Sequence, residues 1–495
     1  MIKSKRILLG YLGIFLVLAG IVMLMPLLLL ISHHETLEVI LSLAIPGPVI
    51  LVIGVVFAAI FYRKNQYFHI TKRNSVFLFL IIWIISVIIL AIPFWIVSKS
   101  FTTGLFEAVS AVSTTNFSLM VSLPEIIYLY KCICSFFGAI GLIIVLLTFI
   151  PNRLGAKLFQ IEGHSEVSFN ASRSSRVIFL SYGIFFIIGT LLYCAFGVPF
   201  HVAITLSLST VSNSGSIDER GNMYLQENLG VEIVTLVLML VTMFNVLYHF
   251  NFFRGRFKKV FKDSQIWFLL IYAILFMGIM LVDLSLNAGS SLHLSFEELI
   301  NIVIFQFVSM VTSSGLSILP APYLLLPSTF FTITIIIVLI GGQMETGAGG
   351  IKLERIFVAI KGFINSSLEM FRPHNYLYEP YYYKLGEKKN ITRQVFISAI
   401  SHILLFVGLF FFGTILLSIF NPMEFKVAAF NFSNALSSNG LYVGAPLNEA
   451  STFSLWVLMM GMFLGRLEIL PVILAVGYLF TGQKEQRMMK VYERD

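Results

Sequence analysis

"STFFTITIIIVLI" (residues 328–340), "GGQMETGAGG" (341–350) and "IKLERIFVAIKGFI" (351–364) follow one another directly. The outer two read as apolar helix. The middle one interrupts them with five glycines, a glutamate and a threonine. At membrane depth an unsatisfied backbone group is expensive, so irregular backbone persists there only when it is buried in protein or lines water. A break at this place requires surroundings that keep the loop's polar groups paired or wet.

The rest of the chain establishes that membrane depth is the right setting. Of 495 residues, 58% are hydrophobic and only 12% charged, with a mean hydropathy of +0.90. A soluble chain of this length needs far more charge on its surface. The opening run "MIKSKRILLGYLGIFLVLAGIVMLMPLLLLI" is too long for a signal-peptide core and has no small-residue cleavage site, so it reads as a retained first helix. Cys132, Cys134 and Cys194 lie in apolar runs, with neither a CxxC nor a Cys/His cluster of metal-binding spacing.

About 20 apolar residues cross the hydrocarbon core as a helix. Ten stretches qualify: 7–31, 43–62, 76–98, 126–150, 176–196, 227–248, 266–286, 326–361, 394–419 and 452–480. Lys and Arg collect in the N-terminus, in alternate loops (Arg63 to Arg73, Arg153 to Arg176, Arg254 to Lys262, Lys352 to Arg393) and in the C-terminus. The opposite loops are poorer, with Lys99, Lys131 and Arg220. Both termini are therefore expected on the cytoplasmic side. The net charge of +8 belongs to this asymmetry, not to a nucleic-acid partner.

Four moderately apolar segments remain on the outer side: "LFEAVSAVSTTNFSL" (105–119), "HVAITLSLSTVSNSGSID" (201–218), "NIVIFQFVSMVTSSGLSIL" (301–319) and "KVAAFNFSNALSSNGLYVG" (426–444). Each is too short to span and ends in hydroxyl or amide residues followed by one key position. That position is Asn116, Gly215, Gly315 or Gly440, recurring at roughly one hundred residues. Each unit thus reads as span, re-entrant helix, polar turn and span. Four turns entering from one side would line one central path. Their carbonyls could replace the hydration shell of a cation, with glycine supplying the positive φ that aims them. The ligands would come from Thr114, Thr115, Asn116, Asn213, Ser214, Gly215, Ser313, Ser314, Gly315, Ser438, Asn439 and Gly440.

At this point the chain resembles the membrane subunit of the Trk/Ktr/HKT superfamily of potassium transporters, the Trk type above all. The resemblance covers roughly residues 70–480. It is carried by "FFGAIGLIIVLLTFIPNRLGAKLFQIEG", "STVSNSGS", "GGQMETGAGGIKLER" and "GRLEILPVI" (465–473), in that order. It implies an all-α polytopic membrane protein with four pseudo-fourfold helix–pore helix–helix repeats around one pore, plus an N-terminal helix pair. The divisions expected are 1–65 for the pair, then 66–165, 166–262, 263–375 and 376–495 for the repeats. Potassium is implied as the transported ion, with no cofactor on this chain. A homodimer is implied, docked on a cytosolic nucleotide-binding regulatory subunit of the RCK type, in a bacterial-type cytoplasmic membrane. The broken helix would be a gate beneath the filter, built on Gly341, Gly342, Glu345, Gly347, Gly349 and Gly350, with Arg466 as an electrostatic barrier or as a structural partner for a loop carbonyl or for Glu468.

Two positions depart from the pattern. Glu345 stands where the family has a small residue, and its carboxylate is expected to pair with Arg466. Asn116 stands where the family has glycine. Its side chain is expected to crowd the path or offer an amide oxygen, so Asn116→Gly is expected to raise the preference for potassium over sodium. The alternatives are a sodium-permeable or poorly selective transporter, or a proton- or sodium-coupled symporter. Asp218, Glu219, Glu297, Glu298 and Glu449 read as outer acids that would concentrate cations or as ordinary loop residues. The segment 379–390 reads as a basic aromatic loop, near lipid headgroups or the regulatory partner. A membrane enzyme is disfavoured because the chain has no DxD, HxxxxD or P-loop. An organic-solute carrier would want more ionisable residues in mid-span.

Overall fold

The computed structural model describes residues 2–31, 35–61, 72–120, 122–142, 144–145, 171–215, 219–287, 294–319, 326–343, 346–371 and 379–480. Glu345, Asp218 and the whole of the basic loop 146–170 lie outside the described residues. Among the described residues, six helices are long and apolar enough to span, and two bent pairs raise this to as many as eight. The two remaining expected spans are Glu125–Ile140 and the interrupted pair Ser328–Ile340 and Leu353–Glu369.

The N-terminal pair packs closely because glycines let the backbones approach, as small residues do between membrane helices. A Cβ on Gly54 would lie 2.5 Å from Val17 N, and one on Gly20 2.8 Å from Gly47 O. Four pore helices follow along the chain: Phe101–Val112, Phe200–Val211, Phe296–Val311 and Phe425–Leu436. Three of them are 12 residues long, which at ~1.5 Å per residue falls well short of a bilayer core. Each is buried along most of its length by the spans flanking it.

Two expected spans are not straight. The stretch 452–480 splits into Thr452–Arg466 and Leu470–Phe480, bent by 99°. The bend sits at Glu468 and Ile469, whose φ values are 53° and 25°. The stretch 227–248 breaks at Phe244 and Asn245 between Leu229–Met243 and Val246–Phe253. Both breaks lie at the level of the 341–350 loop: Asn245 N–H donates to Gln343 Oε1 at 3.2 Å. The segment 379–390 is no loose loop. Tyr381–Lys384 and Glu387–Asn390 form an antiparallel hairpin, with Tyr381 opposite Asn390.

Candidate functional site

The four turns share one backbone device. Thr114, Asn213, Ser313 and Ser438, each two residues before the key position, have φ of 64°, 49°, 59° and 54°. Their N–H groups reach back to Ala111, Thr210, Met310 and Ala435 carbonyls. In the last three turns the next N–H bonds Ser209, Ser309 or Asn434 at 3.0, 2.9 and 2.8 Å. This is the Schellman ending of a helix, which usually uses glycine at the left-handed residue. The first turn is shifted by one residue: Asn116 N–H, not Thr115 N–H, makes the return bond to Ser110 at 3.0 Å.

This corrects the role expected for the glycines. Of the four key positions only Asn116 (54°) and Gly315 (67°) have positive φ. Glycine is required at the others because the turns meet. A Cβ on Gly215 would lie 2.7 Å from Gly440 Cα and 2.8 Å from Ser314 O. One on Gly440 would lie 2.5 Å from Gly215 Cα and 3.1 Å from Thr115 O. All four turns thus converge on one spot, as the repeat predicts. Asn116 differs from expectation in its side chain. Its Oδ1 lies 3.0 Å from Ser135 Oγ on the helix Glu125–Ile140, in the surrounding wall.

Behind the turns sits a set of polar anchors that the sequence reading missed. Nine residues before the key position stand Glu107, Gln306 and Asn431. Glu107 Oε1 accepts from Leu119 N at 2.7 Å and Ser118 Oγ at 2.9 Å. Gln306 Nε2 donates to Ser317 Oγ at 2.6 Å. Asn431 donates to Val443 O at 2.7 Å and accepts from Val443 N at 2.9 Å. Each ties the strand leaving a turn to its own pore helix. Lys131, expected among the outer-loop cations, is instead 1% exposed. Its Nζ pairs with Glu107 Oε2 at 2.7 Å and donates to Phe117 O at 3.0 Å. A lone acid in the apolar run "LFEAVSAV" and a lone lysine in "YLYKCICSFF" were the available signals. A buried charge persists when it is paired.

Beneath the turns the two half-helices rejoin like the neck of a loop. Ile351 N donates to Leu339 O and Lys352 N to Ile340 O, both at 2.9 Å. Gly349 N donates to Ser313 Oγ at 3.0 Å, so the loop touches the third turn directly. A Cβ on Gly349 would overlap Ser437 O, and one on Gly341 would overlap Gly349 O. Arg466 donates to Gly347 O at 2.7 Å, Gly138 O at 2.5 Å and Ala139 O at 2.9 Å. Lys352, expected in a cytoplasmic loop, is 4% exposed and donates to Thr346 O at 3.3 Å and to Ala348 O. Two cations from separate elements thus hold three consecutive loop carbonyls. Glu468 is paired with Arg355 at 2.6 Å. A cavity of about 60 Å³ is lined by Gly347, Lys352, Ser438, Arg466 and Glu468 among others.

Glu297, Glu298 and Glu449, which the sequence suggests as outer acids, are exposed. Glu298 also closes a capping box with Ser295 at the start of the third pore helix. Ser295 N–H, 2.7 Å away, holds its carboxyl below the usual range.

Four re-entrant helices whose turns meet inside a polytopic helical protein define the class: a membrane transporter, and not an enzyme. Residues 49–483 match the TrkH family, described as "Cation transport protein", and the chain belongs to that family as a Trk-type membrane subunit. It is 26% identical over 444 residues to the Trk system potassium uptake protein TrkG of Escherichia coli K12, covering 85% of this chain and 87% of that protein. It is 25% identical over 502 residues to an uncharacterized cation transporter of Methanocaldococcus jannaschii, covering 99% of this chain and 98% of the other. The crystal structure of the potassium transporter TrkH from Vibrio parahaemolyticus superposes with a TM-score of 0.82 at 21% identity. The match covers 97% of this chain and 99% of that one.

Proposed function

We propose that this chain carries potassium ions across the cytoplasmic membrane through a filter made of the four turns, gated by the loop 341–350 with Arg466. One observation carries the reading: four turns with one backbone device meet so tightly that Gly215 and Gly440 have no room for a Cβ. Backbone carbonyls gathered in this way suit a dehydrated monovalent cation. Relatives described as Trk system potassium uptake proteins support the choice of ion. The filter ligands are the carbonyls of residues 114–116, 213–215, 313–315 and 438–440. The repeats run 66–165, 166–262, 263–375 and 376–495, after the N-terminal pair 1–65. Both termini lie in the cytoplasm. The word "system" in the relatives' names supports further components, and we place a second copy of this chain and a nucleotide-binding RCK-type subunit among them.

The test is a reversal potential in proteoliposomes under opposed potassium and sodium gradients. A potential near the potassium equilibrium value is expected. Equal or sodium-favouring permeation would overturn potassium selectivity and leave cation transport standing. Absence of any cation flux would overturn both.

A further inference from the structure

Asn116 occupies a position that is glycine in the three other turns. Its backbone is not the difficulty. Its φ of 54° lies in the left-handed region, beside the 67° of Gly315, and asparagine is among the few residues that visit it readily. The difficulty is the side chain, which has to go somewhere beside a narrow convergence of backbones.

It goes into the wall. Asn116 is 6% exposed, with its amide 3.0 Å from Ser135 Oγ. Ser135 Oγ also lies 3.0 Å from Lys131 O, one helical turn earlier. A hydroxyl carries one proton. If Lys131 O takes it, the amide turns its NH2 toward the Ser135 oxygen; otherwise the hydroxyl donates to the amide oxygen. In both arrangements the amide is bonded to Ser135. The far amide atom has no partner among the described residues, so Ser135 is what fixes the rotamer there. The same helix holds the next residue, because Lys131 Nζ donates to Phe117 O at 3.0 Å.

We infer that Ser135 is a specificity-determining positioning residue: its hydroxyl holds the Asn116 amide against the wall helix and out of the ion path. An asparagine can then stand in a turn whose counterparts need glycine. The inference rests on the four turns being the filter. It also reverses the expectation from sequence that removing the Asn116 side chain improves potassium preference.

The experiment is the potassium-to-sodium permeability ratio, from reversal potentials in proteoliposomes. It compares the unaltered chain with Ser135→Ala, Asn116→Gly, the double variant and Asn116→Asp. Losing one positioning hydrogen bond is expected to lower the ratio about three- to tenfold in Ser135→Ala. The freed amide adds an oxygen and bulk that favour the smaller ion. In the Asn116→Gly background, which has no amide to hold, Ser135→Ala is expected to have no effect. The ratio is read only from protein that conducts, so a poorly folding variant does not imitate a selectivity change. If Asn116→Asp shifts the ratio while Ser135→Ala does not, the inference is overturned and the filter reading stands. An equal fall in the Asn116→Gly background would mean that Ser135 acts through helix packing, which also overturns it. A severalfold rise in Asn116→Gly alone would place the amide in the path and overturn the inference as well. If no variant moves the ratio, the Asp included, the first turn is not filter and the underlying reading falls.

Discussion

Arg466 shows how a single residue binds distant parts of this chain. Its guanidinium joins the loop, through Gly347 O, to the end of the helix Glu125–Ile140, through Gly138 O and Ala139 O. Arginine's rigid fork of donors suits three carbonyls at once, which a lysine would not match. Arg466→Ala is expected to release the loop and raise cation flux severalfold in proteoliposomes; flux at or below the parental level would count against a latch. Glu107 and Lys131 make a second residue-scale case. Removing one member of a buried ion pair strands the other, at a cost of about 3–5 kcal/mol, whereas removing both costs much less. Lys131→Met should therefore lower the thermal midpoint in detergent sharply. The double variant Glu107→Gln with Lys131→Met should recover much of the loss, and additive effects would show that the pair is not coupled.

At the scale of elements, the interrupted helix is tied to the hairpin Tyr381–Asn390. Glu354, two residues beyond Lys352, accepts from Tyr382 Oη at 2.7 Å and from Lys384 Nζ at 2.9 Å. Asp263 accepts from the hairpin's Leu385 N–H at 2.6 Å. The hairpin is thus clamped to the helix that follows the loop by Glu354, and to the turn before Ser264–Asn287 by Asp263. A two-stranded hairpin is marginal alone, so these contacts hold its place. Glu354→Ala is expected to abolish amide-exchange protection across 381–390 while leaving that of Arg393–Phe420 unchanged. Retained protection would mean that strand pairing and Asp263 suffice. Glu107, Gln306 and Asn431, nine positions before their turns, act in the same way, as clamps that hold irregular strands to regular helices.

For the molecule as a whole, the four-unit plan predicts which surfaces face which side. The proposed orientation, with both termini in the cytoplasm, puts the hairpin inside and the start of the fourth pore helix outside. A cysteine at Glu387, in a chain freed of its three native cysteines, should react with an impermeant maleimide only from the cytoplasmic face. One at Lys426 should react only from the outside. Labelling from the opposite sides would invert the orientation read from the Lys and Arg distribution.

The sequence by itself determined the membrane, the ten helical stretches, the fourfold recurrence and the break at 341–350. These are properties of composition and spacing: apolar length sets a span, and a repeat of glycine after hydroxyl residues marks a turn. It also located the convergence, because Gly215, Gly315 and Gly440 recur in register. Only the tertiary structure decided why glycine is there, since the clash of Gly215 with Gly440 arises between residues far apart in the chain. It likewise decided that Lys131 and Lys352 are buried partners and not loop cations, and that Asn116 bonds to Ser135. Counting Lys and Arg by loop assumes that a charge seeks water, and a charge that finds a carboxylate or a set of carbonyls across the fold escapes that rule. The left-handed residue of each turn fell on Thr114, Asn213, Ser313 and Ser438 because helix termination set it, and that depends on where the last carbonyls find donors.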